Sequence, residues 1–264
     1  MKFLFWNVRG AVPEKELTAL VSSEGVDVLV LAEDRAPSHT EAILTRDVRT
    51  FVHVTYEHSK VHVFTSYVGG LTNIMEDGAY HCALQTHPPL LPPLLLIGVH
   101  FPSKLHQRPD SQTLETAVLA DSIRALEKKV GHSNTVLLGD LNMDPFEPGV
   151  VGAKGLHAVS SAAIAQRGRR MVSGRAYEFF YNPTWAHMTD RTSGPPGTYF
   201  RRSSEHVSHF WHSLDQVLLR PALLGWFKPD GLRVLTSAGS HKLVADNGRP
   251  AVSDHLPLVL TLEG

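Results

Sequence analysis

Five apolar runs, drawn from both ends of the chain, each carry a chemistry-capable polar residue at one end. Phe3-Leu4-Phe5-Trp6 stops at Asn7, and Val26 to Leu31 stops at Ala32-Glu33-Asp34. Leu94 to Val99 stops at His100, and Val136-Leu137-Leu138-Gly139 stops at Asp140-Leu141-Asn142. Near the C-terminus, Ser253-Asp254-His255 stands just ahead of Leu258-Val259-Leu260. Short apolar runs bounded by such residues read as buried strands whose ends open onto a cleft. Polar residues often follow strands, which accounts for one or two of these ends but not for five. The ends converge only if residues 1–264 fold together, so one domain is expected.

Other classes are narrowed by what the chain lacks. No apolar stretch is long enough to span a membrane. The net charge of −1 advertises no bulk basic field for nucleic acid. Local basic clusters remain at Arg167, Arg169, Arg170 and Arg175 and at Arg201-Arg202. They read equally as a solvated loop or as a phosphate-facing surface. The single cysteine, Cys82, excludes an internal disulfide framework and a multi-thiolate metal site. His53, His58, His62, His81 and His87 lack zinc-like spacing. The N-terminus enters a strand without a signal-peptide pattern, so a cytoplasmic setting is expected.

The spacing of Leu17, Leu20 and Val21 predicts an amphipathic helix over 14–24, with Pro13 at its start. Ser38 and Glu41 have the spacing of a capping box for a second helix. Segments 51–56, 61–67, 71–75 and 80–86 read as a meander, with Gly69-Gly70 and Asp77-Gly78 as turns. Pro88, Pro89, Pro92 and Pro93 bracket a loop before the next core strand. Thr113 to Val130 predicts the longest helix, with Leu114, Ala117, Val118, Asp121, Ile123, Leu126 and Val130 on one apolar side that Asp121 alone interrupts. After Asn142 the pattern weakens until Leu214 to Leu219, and a loop of that length is usually functional or locally structured. Helices alternating with hairpins favour mixed sheets over a purely parallel α/β fold.

Asp140 and Asn142 are two apart, so on an extended backbone both point the same way. A carboxylate beside an amide donor suits the hydrolysis of a phosphate ester, although Asp-Leu-Asn is equally good turn chemistry. The ordered set Trp6-Asn7-Val8-Arg9-Gly10, Leu31-Ala32-Glu33, His100-Phe101-Pro102, Gly139-Asp140-Leu141-Asn142, Leu214-Asp215-Gln216-Val217 and Ser253-Asp254-His255-Leu256-Pro257 resembles the endonuclease/exonuclease/phosphatase superfamily. That superfamily includes deoxyribonucleases of the pancreatic type, abasic-site endonucleases, neutral sphingomyelinases and inositol-polyphosphate 5-phosphatases. The resemblance covers nearly the whole chain and implies a four-layer α/β sandwich, two mixed sheets face to face with helices outside.

The same resemblance implies roles. Glu33 would be the principal Mg²⁺ ligand, with Asn7 and Asp254 beside it; Mn²⁺ would be a possible substitute. Asp140 would orient or deprotonate the attacking water, and Asn142 would hold a non-bridging phosphate oxygen. His255, fixed by Asp215, would act as acid/base or charge stabiliser. His100 would donate to the phosphate or assist the leaving oxygen. Arg9, Arg169, Arg170, Arg201 and Tyr199 would bind substrate, with the aromatics of 177–200 stacking bases or packing a sheet.

Arg9, Ala32 and Ser103 depart from the abasic-site pattern, where Asp, Gln and Asn stand. His100 with Pro102 looks closer to the deoxyribonuclease and sphingomyelinase branches, but no residue clearly matches the carboxylate that partners the equivalent histidine in deoxyribonucleases, and Glu57 is only a guess at it. The expected activity is Mg²⁺-dependent phosphodiester hydrolysis in DNA or RNA. A small phosphorylated molecule or a lipid headgroup is the alternative substrate. A silent binding module would be marked by loss of Asp140, Asn142 or His255, and all three are present.

Overall fold

Alternation along the core strands sets the architecture. The computed structural model describes residues 1–67, 72–88, 91–104, 108–190 and 194–263. β1 (Lys2–Gly10), β2 (Val28–Asp34), β3 (Val52–His53) and β4 (Val61–Thr65) form a six-stranded sheet with Phe227–Val234 and Leu258–Leu262. The second sheet has seven strands, in the spatial order β5 (Thr72–Asp77), β6 (His81–Thr86), β7 (Leu94–His100), β8 (Thr135–Asp140), Asp215–Leu219, Phe180–Tyr181 and Ala158–Val159. β1 is parallel to β2 and antiparallel to Leu258–Leu262. β8 is parallel to β7 and antiparallel to Asp215–Leu219. Both sheets are therefore mixed.

Leu94, Leu96, Val136 and Leu138 share one buried cluster with Phe3, Phe5, Leu29 and Val259 of the other sheet. Their neighbours Leu95, Ile97 and Leu137 turn the opposite way, as the period of two requires, and meet a helix. Three long helices sheathe the pair of sheets: α1 (Glu14–Glu24), α2 (Pro37–Asp47) and α3 (Pro109–Val130). Leu119, Ile123 and Leu126 of α3 close the second sheet's outer face, while Leu17, Leu20 and Val21 of α1 bury in the cluster of the first. The result is the four-layer α/β sandwich expected from the sequence.

Several local expectations change. The residue before α2 is Ala36, and its N–H donates to Asp34 Oδ1 at 2.9 Å; Thr40 Oγ1 donates to Asp34 Oδ2 at 2.7 Å. Asp34, not Ser38, thus satisfies the helix start. Ser38 hydrogen-bonds Glu57, and Glu41 accepts from the His53 N–H, so the capping box does not form. α3 starts four residues earlier than its periodicity suggested and buries Gln112, Thr116, Leu119, Ala120, Ile123 and Leu126. Leu114 and Val118 are exposed. The helix is rotated because buried Gln112 is anchored, its amide donating to the carbonyls of Pro102 and Asn142. The strand expected over 51–56 shrinks to Val52–His53, because Thr55 Oγ1 takes the Val63 N–H that a ladder carbonyl would have held. The Asp77-Gly78 turn is present, with the Gly78 N–H donating to His81 O at 2.8 Å. The Gly69-Gly70 turn and Pro89 lie outside the described residues.

Candidate active site

Asp140 is the last residue of β8 and is almost wholly buried. Gly139 precedes it because β7 and β8 approach closely there: a Cβ would overlap the Val99 carbonyl. Past the strand, the Asn142 N–H folds back onto Asp140 Oδ1 at 2.8 Å. The Asp-Leu-Asn segment is therefore both a turn and a piece of the site. Glu33, Asn142 and Arg9 all have left-handed backbones, with φ of 60°, 50° and 54°. Non-glycine residues in that region store strain and collect at functional sites.

Asn7 ties two of the carboxylates together. Its Nδ2 donates to Glu33 Oε1 and to Asp140 Oδ2, each at 3.1 Å, while Oδ1 accepts the Arg9 N–H at 3.1 Å. Coordination of a cation by Asn7 would require the amide to turn over, whereas Glu33 already presents a half-exposed carboxylate. Asp34, the adjacent competitor, is spent on α2. His100 Nε2 lies 3.5 Å from Glu33 Oε1 and 3.9 Å from Asp140 Oδ2. Glu57 is held by Ser38, and Glu33 is the carboxylate nearer to His100. Asn142 gives one amide N–H to Phe101 O at 2.7 Å and lines the cleft with the rest of its side chain.

The C-terminal loop is sewn onto β1. Trp6 Nε1 donates to His255 O at 2.9 Å, and Ser253 Oγ donates to Asn7 O at 2.7 Å. His255 is thereby fixed between two carboxylates. Its Nδ1 meets Asp215 Oδ2 at 2.8 Å, and its Nε2 faces Asp140 Oδ2 at 3.9 Å. Burial pulls the imidazole pKa down, but Asp215, Asp140 and Asp254 together outweigh it and raise it to about 10. Asp140 is itself pushed up by burial, against the pull of His255. The next residue back, Asp254, sits at the rim with Arg9 Nε 3.6 Å away.

Asn7, Glu33, His100, Asp140, Asn142, Asp254 and His255 open into one cleft of about 610 Å³, whose lining includes neither Asp215, which holds His255, nor Arg9. Tyr199 and Arg201, both expected to bind substrate, form one wall, with the Tyr199 ring 4.8 Å from that of His255. Arg169 and Arg170 do not line it. They lie on a ribbon of Arg169–Val172 and Arg175–Glu178, where Arg170 Nε donates to His157 Nε2 at 2.8 Å. Four lining residues escaped sequence reasoning: Lys60, Tyr80, Lys104 and His212. Lys60 sits over the Tyr80 ring, 5.2 Å from its centroid. His212 stands three residues before Asp215, on a two-residue strand too short to show alternation.

Asp140, Asp215 and His255 offer ligand atoms within 4.8 Å of one another, and all three are buried. Nδ1 of His255 is occupied by Asp215, however, and a catalytic cation needs room for water and substrate. The oxygen-rich edge at Glu33, with Asp140 behind it and Asp254 across the rim, fits a hard divalent ion better.

A model of the Endonuclease/Exonuclease/phosphatase family matches residues 4–255. The chain belongs to that family. No curated protein matches the chain in sequence. Among solved structures, this family member resembles a Neisseria 3′ phosphatase, NExo, bound to product DNA hairpin (16% identity, 100% of each chain, TM-score 0.61). It also resembles D. rerio TDP2 complexed with single strand DNA product (15% identity, 100% of this chain and 99% of that one, TM-score 0.60). A functionally unknown conserved protein from Enterococcus faecalis V583 shares the fold as well (15% identity, 100% of each chain, TM-score 0.56). At these identities the likeness speaks for the fold. Among the described residues no helix is long and apolar enough to cross a membrane.

Proposed function

We propose that this family member is a divalent-metal-dependent hydrolase of phosphodiester bonds in nucleic acid. The observation that carries this reading is the convergence of Glu33, Asp140, Asn142, His100 and the His255–Asp215 pair on one cleft. A Mg²⁺ or Mn²⁺ ion held at Glu33, with Asp254 and Asn7 adjacent, would neutralise phosphate charge. Asp140, made more basic by its burial, takes a proton from water aimed at phosphorus. The His255 imidazolium and the free amide N–H of Asn142 stabilise the charge that builds on the phosphoryl oxygens. His100 stands beside Glu33, where it can donate to the phosphate or the leaving oxygen. The structurally similar NExo and D. rerio TDP2 were solved with product DNA, which supports nucleic acid over a lipid headgroup. Cleavage of labelled single-stranded DNA, duplex DNA and RNA with Mg²⁺, Mn²⁺ or EDTA tests the proposal. Metal-dependent cutting lost in Asp140→Ala and His255→Ala is expected; failure of folded protein to cut any polymer overturns it.

A further inference from the structure

A second imidazole–carboxylate pair stands on the wall of the same cleft. His212 Nδ1 meets Asp144 Oδ2 at 2.7 Å, and Asp144 Oδ1 accepts the Ser213 N–H at 2.9 Å. Asp144 is buried with both carboxylate oxygens engaged, and its own N–H is held by Glu147 Oε1 at 2.7 Å. The arrangement repeats that of His255 and Asp215: the ring is anchored through Nδ1 and its other nitrogen is left for the cleft. Among the described residues His212 Nε2 makes no hydrogen bond.

Sheet geometry places this pair deliberately. Tyr199 and His212 are direct partners on the two short strands Tyr199–Phe200 and Trp211–His212. The Arg201 N–H continues the ladder to Phe210 O at 2.8 Å. Residues two apart share a face, so Tyr199, Arg201 and His212 all present side chains to the cleft. Gly197 lets the ribbon form, because a Cβ there would come within 2.6 Å of the His212 carbonyl. The Tyr199 ring lies between the two histidines, 4.8 Å from His255 and 6.4 Å from His212.

We infer that His212 and Arg201, floored by Tyr199, form a second anion subsite that takes the phosphate next to the one being hydrolysed. An anion docked there gives the ring a partner on each nitrogen, Asp144 on Nδ1 and a phosphate oxygen on Nε2. Arg201 adds a charged guanidinium donor. The inference rests on the proposed phosphodiesterase reading and narrows its substrate to a chain or nucleotide with a further phosphate beyond the scissile bond.

The test compares thymidine 5′-(4-nitrophenyl phosphate) with the same ester carrying a 3′-phosphate, using wild type, His212→Gln and Asp144→Asn. Wild type is expected to show a KM about tenfold or more lower for the 3′-phosphorylated ester, the worth of one charge-assisted hydrogen bond. In His212→Gln that preference ratio collapses toward one, and Asp144→Asn moves it part of the way. An unchanged ratio overturns the subsite. A fall confined to kcat, equal for both esters, also overturns it and assigns His212 to the reaction centre. If wild type hydrolyses neither ester, the polymer-cleavage assay decides the phosphodiesterase reading separately. Calorimetric titration with thymidine 3′,5′-bisphosphate and thymidine 5′-monophosphate then decides the subsite, by whether the bisphosphate preference exists and is lost in His212→Gln.

Discussion

Asp140 and Asp215 stand directly opposite each other on neighbouring antiparallel strands, and the His255 ring is held by one and faces the other. The cross-strand register thus delivers two buried carboxylates to a single imidazole. Their combined field, with that of Asp254, overcomes the burial penalty and keeps His255 protonated across the neutral range, with a pKa of about 10.

That charge predicts a pH profile. His255 serves as a cation, so the rate is expected to hold until the alkaline side and fall as pH approaches about 10. Asp215→Asn removes the leading attraction, so the alkaline limb should move to lower pH and kcat fall by roughly 10²–10⁴-fold. The folded state binds this proton more tightly than the unfolded chain. Its contribution to stability is therefore full below about 6.5 and is lost as pH rises toward 10. A variant whose kcat–pH curve keeps the wild-type alkaline limb would contradict this role.

Glu33 and its neighbour Asp34 make a matched pair for testing the metal assignment. Glu33 is half-exposed to the cleft, while Asp34 is buried and occupied by Ala36 and Thr40. Glu33→Gln is expected to raise the Mg²⁺ concentration for half-maximal rate by about tenfold or more, the equivalent of losing ~1.4 kcal/mol of binding. Asp34→Asn should lower Tm by weakening the start of α2 without moving that concentration. Metal titrations of the rate, read beside thermal melts, separate the two; equal metal half-saturation in wild type and Glu33→Gln would remove Glu33 as the principal ligand.

The strand ends were legible because burial writes itself into sequence as unbroken apolar runs. Asn7, Glu33, His100 and Asp140 follow such runs and meet in the cleft. His255 stands ahead of its own. Where packing is decided by one polar anchor, periodicity misleads: buried Gln112 turns α3 so that Leu114 and Val118 face solvent. The 143–213 segment was harder still. Its strands are often two residues long, as at Ala158–Val159, Tyr199–Phe200 and Trp211–His212, too short to show alternation. His212 and Asp144 were missed for that reason, since they meet only through the tertiary fold.

The contact between His53 and His62 makes a prediction at acid pH. Their ring nitrogens lie 3.1 Å apart, and His53 Nε2 is also 3.0 Å from Thr55 Oγ1. Burial lowers both pKa values, and for His62 the neighbouring His53 lowers it further. The unfolded chain therefore takes up protons more readily as pH falls through about 6.5, and stability drops there, by up to about 1.4 kcal/mol per pH unit for each excluded proton. Melts between pH 7.5 and 5 should show this loss, with a shallower slope in His53→Gln. Parallel slopes in the two proteins would place the acid sensitivity elsewhere.

The ion pair of Arg220 and Glu127 ties the end of the strand Asp215–Leu219 to α3. Arg220 Nε and Nη2 donate to the two oxygens of Glu127 at 2.8 and 3.2 Å, and Nη1 donates to Phe179 O at 3.1 Å. The guanidinium also lies 3.9 Å over the Phe180 ring, and Thr135 Oγ1 donates to Glu127 Oε1 at 2.6 Å. Both partners are shielded from water, so removing one leaves a buried charge without its counterpart. Glu127→Ala should cost about 3–5 kcal/mol, whereas Glu127→Leu combined with Arg220→Met should recover much of that loss. Neither residue lines the cleft, so kcat per folded molecule should stay at the wild-type value. Urea melts of the single and double variants decide it: a double variant no more stable than Glu127→Ala would show that the cost came from lost packing at α3 rather than from the stranded charge.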